Sequence, residues 1–259
     1  MMVALALITA AYILQADFDR REMDADAFAM ITVAGLAGIL GAKLMHLLDT
    51  PQSRVPLSLL LDRHWLFSKD GLDWFRLGFA WFGGFLGGFS AMLLMGWRAK
   101  LPIWKFLDAC SPAASFGYAI GRIGCLLSGD GDYGKPTSLP WGMSFPNGTD
   151  STIPKCLAWG LPADCRVHPT PIYEFLVWCA IGWALWRLGA RALQKPRPMG
   201  EIFCLYLILT GIARFLVELI RINPPSILGL SNAQVASAIS VIGGLVVLAT
   251  LKATPVAKS

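Results

Sequence analysis

Long apolar stretches of about twenty residues dominate this sequence and constrain what it can fold into. A helix of that length matches the hydrocarbon thickness of a bilayer. Only 15% of the residues are charged, well below the roughly 25% usual in soluble domains. We therefore predict an all-α, polytopic membrane protein with a single integral-membrane domain over residues 1–259. The seven predicted spans lie near residues 1–16, 27–48, 77–97, 106–127, 172–189, 200–220 and 232–251.

The distribution of Lys and Arg predicts how the chain crosses the membrane. If the N-terminus is outside, eleven of these cations fall in short inner segments and eight in longer outer loops. Inner loops are enriched in cations, so we predict an outer N-terminus and an inner C-terminus. The first span lacks the flanks of a cleaved signal peptide and is expected to be retained. The longest outer loop, about 128–171, contains Cys156 and Cys165, which we expect to form a disulfide; two unpaired thiols are the alternative.

Ionisable residues inside apolar spans are the strongest functional signal, because a charge at the bilayer centre costs about 2.5 kcal/mol or more. Arg214, Glu218 and Arg221 share one helical face by their spacing. They form either an internal salt bridge or a guanidinium site for a phosphate. Arg122 lies between Gly121 and Gly124 at a span end, where an Arg can also extend to the headgroups.

Two buried Arg on different helices require counterions or an anionic ligand. We expect fewer acids than cations around them, and hence an anionic ligand; Glu218 and Glu174 are the only acids well placed to balance them. Lys43 and His46 lie one turn apart in the second span. His46 is either a group that exchanges a proton or a hydrogen-bonded interface residue.

Other motifs narrow the function. The three His and the Cys show no metal-ligand spacing, so no metal is expected. No P-loop, dinucleotide fingerprint or G-x-S-x-G motif is present in a suitable context. The net charge of +5 comes from scattered cations, which excludes a nucleic-acid patch. The overlapping G-x-x-x-G patterns of residues 83–88 are typical of close helix packing.

Four segments together resemble the prolipoprotein diacylglyceryl transferase family and cover most of the chain. The most specific is the block from Gly121 to Phe145, containing Gly121-Arg122-Ile123-Gly124, residues 133–137 and residues 139–143. The other three segments are residues 41–44, 168–174 and 214–221, which follow in the family's order and spacing.

The resemblance implies seven spans in a bacterial inner membrane and an enzyme that needs no cofactor. The family moves the diacylglyceryl group of phosphatidylglycerol to the lipobox cysteine of a prolipoprotein and releases glycerol phosphate. By this resemblance Arg122 and Arg214 hold the lipid phosphate and Glu218 orients Arg214. The further substrate-binding residues that we assign are Lys43, Gly83, Gly84, Cys125, Tyr133, Gly134, His168, Tyr173, Glu174 and Arg221.

Two departures from the family pattern concern the chemistry. Phe82 stands where the family has a His before Gly83-Gly84, and Cys125 stands where it has Asn. We therefore expect His46 to be the general base. Four functions stay open: a lipoprotein-modifying transferase, a paralogue acting on another acceptor, a non-catalytic lipid-binding scaffold, and a thiol–disulfide exchanger.

Overall fold

The computed structural model describes residues 1–49, 58–59, 62–66, 68–71, 80–194, 197–223, 226 and 229–253. Within those ranges the chain is helical and contains nine helices. They are α1 Met2–Arg20, α2 Ala27–Asp49, α3 Arg63–Leu66, α4 Trp81–Arg98, α5 Ile103–Ser128, α6 Thr152–Ala158, α7 Thr170–Ala192, α8 Glu201–Glu218 and α9 Asn232–Ala253. The all-α prediction is confirmed for this part of the chain.

Each predicted span corresponds to a long helix, with ends that differ by a few residues. Three helices, α1, α2 and α9, are long and apolar enough to cross a membrane. The count of seven crossings and their orientation stay predictions. Residues 77–79, which begin the third predicted span, lie outside the described residues. The fourth helix starts at Ile103, earlier than predicted, and continues through Pro112, as neighbouring elements allow in membrane helices.

The chain divides into two compact units. The smaller one comprises Asp24–Ile103 and is built on α2 and α4, which pack backbone to backbone. A Cβ atom added at Gly83 would lie 2.2 Å from the carbonyl oxygen of Gly41, and one added at Gly87 would lie 2.4 Å from that of Ala37. Only glycine permits this approach, so the G-x-x-x-G stretch packs helices as its pattern predicts.

The larger unit comprises Met1–Met23 and Trp104–Ser259. It contains α1 and α5–α9, whose buried apolar residues include Leu14, Phe18 and Leu185. Isolated β-bridges hold its loop after α5 in place. They pair Gly134 with Arg221, and Val167 with both Pro136 and Met143. These bridges bring the segments before α6, before α7 and after α8 together at one end of the unit.

Candidate active site

Three arginines and three acids form one ion network at that end of the larger unit. The arginines are Arg122 of α5, Arg214 of α8 and Arg221, just after α8. The acids are Glu174 of α7, Glu218 of α8 and Asp132, in the loop after α5. The side chains of Glu174 and Glu218 are 0% and 1% exposed, so the network is largely removed from solvent.

Glu174 is the centre of this network. Its Oε2 lies 2.7 Å from Nη2 of Arg122 and 3.6 Å from Nη1 of Arg221. Its Oε1 accepts hydrogen bonds from Nη1 of Arg214 at 3.2 Å and from the Tyr118 hydroxyl at 2.8 Å. Arg122 and Arg214, from different helices, therefore converge on one buried carboxylate.

Glu218 holds the second side of the network. Its Oε2 lies 3.0 Å from Nη2 of Arg214, which is the pair that the i,i+4 spacing predicts. The same oxygen lies 3.6 Å from Nε of Arg221. Its Oε1 accepts hydrogen bonds from Asn223 at 2.6 Å and from Ser231 at 2.8 Å. Glu218 is thus fixed from both sides and in turn orients Arg214.

Asp132 is the acid that sequence reasoning missed. Nη1 of Arg122 donates to its Oδ2 at 2.5 Å, and Nη2 of Arg221 donates to its Oδ1. Burial alone would raise the pKa of Asp132, but the two guanidiniums hold it below its ordinary value. The expectation that acids are fewer than cations was wrong, because three arginines face three carboxylates. A loop sequence rich in Gly and Asp gave no sign that Asp132 would be drawn inward.

Some guanidinium N–H groups of the network lack a close acceptor. Among the described residues, Nε of Arg122 has no hydrogen-bond acceptor, and Nε and Nη1 of Arg221 lie 3.6 Å from carboxylate oxygens of Glu218 and Glu174, which is too far for a hydrogen bond. Nearby, a cavity of about 820 Å³ is lined by Glu218, Arg221, Lys135, Lys155 and Trp159 among others. Arg221 belongs to both the ion network and the cavity lining, so an anion in the cavity would meet the network at this guanidinium.

Cys125 lies within the network. Nη1 of Arg122 donates to its Sγ at 3.3 Å as well as to Asp132. The ligand atoms of Cys125, Asp130 and Asp132 lie within 4.8 Å of one another. This grouping is adjacent to a guanidinium, which already satisfies two of its members. The structure therefore gives no reason to assign a cation there.

Three further predicted residues, Gly134, His168 and Tyr173, lie in or beside the segments that the loop after α5 joins. Gly134 is required by the approach of Arg221's strand-like segment, since an added Cβ would lie 2.6 Å from the Ile220 carbonyl oxygen. Nδ1 of His168 lies 3.1 Å from the Tyr173 hydroxyl, which accepts a 2.8 Å hydrogen bond from Trp141. Substrate contacts by these residues stay predictions.

Tyr133, whose assignment as a substrate-binding residue also stays a prediction, packs within the loop. Its ring is buried and stacks on Phe145 at 5.5 Å between centroids. Its hydroxyl donates to the carbonyl oxygens of Asp150 and Ser151. In the same loop, Cys156 and Cys165 form a disulfide with Cα atoms 5.8 Å apart.

The remaining predicted site residues belong to the smaller unit, Asp24–Ile103. Lys43 is buried and His46 half-buried on α2. Gly83 is buried against Gly41, whereas Gly84 is half-buried. Phe82, which replaces the family His, has a relative exposure of 59%. The assignments of Lys43, His46, Gly83 and Gly84 as site residues stay predictions.

Comparison with known proteins relates the chain to one family. The family model described as "Prolipoprotein diacylglyceryl transferase" matches residues 1–250. Three relatives bear the name phosphatidylglycerol–prolipoprotein diacylglyceryl transferase. The Clostridium tetani protein is 29% identical over 95% of this chain and 89% of its own length. The Aliivibrio salmonicida protein is 34% identical over 66% of this chain and 56% of its own length. The Actinobacillus pleuropneumoniae protein is 31% identical over 70% of this chain and 64% of its own length, so the last two matches span less than two thirds of those relatives.

Proposed function

Because the chain belongs to the prolipoprotein diacylglyceryl transferase family, we propose that it is a membrane transferase that uses phosphatidylglycerol as its donor. It moves the diacylglyceryl group to the thiol of a cysteine in a lipoprotein precursor, and glycerol phosphate leaves. One observation carries the proposal: Arg122 and Arg214, on separate helices, meet at Glu174 within a solvent-poor site.

The ion network suits a phosphate that gains charge during the reaction. The carboxylates of Glu174 and Glu218 fix the guanidinium planes before the lipid arrives. The Nε–H of Arg122, which has no acceptor among the described residues, and the N–H groups of Arg221, whose contacts with Glu174 and Glu218 are long at 3.6 Å, then donate to phosphate oxygens. Donors that are already oriented stabilise developing charge without reorganisation, and loss of one such donor costs about 10²–10³ in rate.

The reaction balances as a displacement at the glyceryl carbon. The acceptor sulfur forms a new C–S bond to the glyceryl carbon. The bond between that carbon and the phosphate ester oxygen breaks. The electron pair stays on the phosphate oxygen, so glycerol phosphate departs as an anion. The acceptor thiol must also lose its proton, because the thiolate is the nucleophile. Arg122, Arg214 and Arg221 hold the leaving group, and a separate base takes the proton.

His46 is our candidate for that base, since Phe82 has no proton-accepting atom. Histidine is the residue type that can take up and return a proton near neutral pH. The test is turnover of the His46→Ala variant, with release of glycerol phosphate as the readout. Unchanged turnover would remove His46 from the mechanism and leave the base to another group.

The membrane arrangement forms part of the proposal. The chain is a single integral-membrane domain with seven spans, an outer N-terminus and an inner C-terminus, in the bacterial inner membrane. The ion network then lies toward the outer side, where α5 and α8 end and α7 begins. The loop bearing the disulfide is also outside, in an oxidising compartment.

The acceptor separates the proposal from its alternatives. The second candidate is a paralogue that uses phosphatidylglycerol but modifies another acceptor. The observations that favour it are the two departures from the family pattern, Phe82 and Cys125. A lipoprotein-modifying enzyme restores lipoprotein maturation in cells depleted of their own transferase, whereas a paralogue fails there yet still consumes phosphatidylglycerol beside its true acceptor. A scaffold that merely binds phospholipid yields no product with either.

The decisive experiment is mass spectrometry of products formed from phosphatidylglycerol and candidate acceptor peptides. We expect a thioether-linked diacylglyceryl product and free glycerol phosphate with the wild type. The Arg214→Gln variant should lose about 10²–10³ in rate. Arg187→Gln is the matched control, because Arg187 is exposed on α7 and contacts Trp183 rather than the network. No product with any acceptor, or equal rates in both variants, would overturn the proposal.

A further inference from the structure

A second charged cluster lies at the opposite end of the larger unit. It is formed where α5 and α8 begin, by Lys105 and Asp108 of α5 and by Arg197 and Glu201 at the start of α8. Arg21, just after α1, completes it. Asp108 precedes Arg122 by fourteen residues in α5, which is about 21 Å at 1.5 Å per residue. The cluster is thus separate from the ion network.

A small cavity lies within this cluster. Its volume is about 160 Å³, and its charged lining residues are Arg21, Lys105, Asp108, Arg197 and Glu201. That volume equals about five liquid waters, at about 30 Å³ each. The space is enough for one compact polar group and too small for a lipid chain.

Both acids in the cavity wall are already engaged. The two oxygens of Asp108 accept hydrogen bonds from the backbone N–H groups of Gly200 and Phe203, each at 2.8 Å. Asp108 thereby caps the N-terminus of α8. Glu201 lies 3.2 Å from Nη1 of Arg197. Each carboxylate is therefore already hydrogen-bonded or paired, although the charge of Asp108 still acts on nearby Arg21.

The cations of the cluster are not fully compensated. Arg20 and Arg21 share the same oxygen of buried Asp17, which lies 3.2 Å from Nε of Arg21. Nη2 of Arg21 has no hydrogen-bond acceptor among the described residues, and its Nε faces only the Asp17 oxygen that Arg20 already shares, although the side chain is only 6% exposed. Lys105 makes no ion pair within the described parts of the chain. Four cations (Arg20, Arg21, Lys105, Arg197) thus face three carboxylates (Asp17, Asp108, Glu201), for a net charge of +1.

We propose that this cavity binds a phosphate group, supplied either by the headgroup of an anionic phospholipid or by free phosphate. Three cationic side chains line it, from three separate segments: Arg21 after α1, Lys105 in α5 and Arg197 before α8. A tetrahedral group with several acceptor oxygens can accept hydrogen bonds from donors on several sides at once. An anion with a single acceptor atom cannot. The guanidinium fork of Arg21 suits two phosphate oxygens. This site does not depend on the proposed transferase reaction, because no residue of the ion network takes part.

The test measures thermal unfolding of the purified full chain in neutral detergent at constant ionic strength. The probes are inorganic phosphate and phosphatidylserine, each titrated separately. A ligand that binds only the folded state raises the unfolding temperature with concentration. We chose Lys105→Gln and Arg197→Gln as variants, because Arg21 is buried and its replacement can impair folding. The matched control is Arg191→Gln, an exposed cation on α7 outside the cavity lining.

We expect each cavity variant to raise the half-saturating probe concentration about tenfold, the equivalent of one lost charge-assisted hydrogen bond. Arg191→Gln should bind as the wild type does. A response to phosphatidylserine alone identifies a lipid headgroup, a response to inorganic phosphate alone identifies a soluble anion, and either supports the site. The proposal is overturned if neither probe stabilises the protein, or if both cavity variants retain wild-type binding.

Discussion

Glu174→Gln is the most informative single change, because one carboxylate serves three guanidiniums. In the wild type its oxygens lie 2.7, 3.2 and 3.6 Å from atoms of Arg122, Arg214 and Arg221. The amide keeps the shape of the side chain but removes its charge. Its NH₂ group would also face guanidinium N–H donors, with which it cannot form a hydrogen bond. The network then holds three cations and two acids. Removing one partner of a buried ion pair costs about 3–5 kcal/mol, and we expect a loss of stability in this range.

The same change should reduce turnover more than overall folding explains. Without their shared anchor, Arg122 and Arg214 repel each other and separate. A displacement of about 1 Å in a positioning group can cost about 10²-fold in rate. Glycerol phosphate release, measured on folded protein at saturating phosphatidylglycerol, reports this effect directly.

Glu201→Gln is the control for both measurements. Glu201 also pairs with an arginine near the end of a long helix, but Arg197 is 40% exposed there. Because the cation of this pair reaches solvent although Glu201 itself is buried, breaking the pair should cost less than breaking a fully buried one. If Glu174→Gln unfolded within 1 kcal/mol of the wild type and turned over normally, the network would not hold the guanidiniums as argued.

Four further predictions follow from single features. Tyr118→Phe removes a hydrogen bond to a buried carboxylate and should cost about 1.5–3 kcal/mol in denaturant unfolding; an unchanged midpoint would contradict this. Because its neighbours hold the pKa of Asp132 below its ordinary value, its ionised form stabilises the fold at neutral pH. That contribution should disappear as the pH falls through the lowered pKa, and Asp132→Asn should flatten this acid dependence of unfolding. Cys156→Ser should cost about 2–4 kcal/mol without abolishing turnover, whereas complete inactivation would favour a thiol–disulfide exchanger. Gly83→Ala places a Cβ against the α2 backbone and should lower the unfolding temperature, while Gly243→Ala, with open space around it, should not.

The long helices could be predicted from sequence because an extended apolar stretch is recognised by its length and hydropathy. Helix α2, predicted over 27–48, is Ala27–Asp49, and α9, predicted over 232–251, is Asn232–Ala253. Local spacing likewise predicted the Arg214–Glu218 pair, since residues four apart share a helical face. Helix bounds and contacts within one helix could therefore be predicted from the residue pattern.

The centre of the site required contacts between distant segments. Glu174 could be recognised as a nearby acid, but its position between Arg122 and Arg214 depends on how α5, α7 and α8 pack. Asp132 was missed because a polar loop residue is expected to be solvated. It is drawn inward by Arg122 and Arg221, and the backbone bridge between Gly134 and Arg221 keeps those segments adjacent. Such a bridge has no signature in composition or periodicity.

Charge balance explains why the two ends of the larger unit should bind phosphate differently. At the ion network, three cations and three acids cancel, so an arriving phosphate gains little from net charge. Its binding must come from Nε of Arg122, which has no hydrogen-bond acceptor among the described residues, and from Arg221, whose 3.6 Å contacts with Glu174 and Glu218 are long. This arrangement favours the state in which most negative charge has developed on the phosphate, and therefore the transition state over the resting lipid. A site with net positive charge would hold the anionic product and slow its release. The cluster around Arg21 has that excess charge, which suits lasting occupancy rather than turnover.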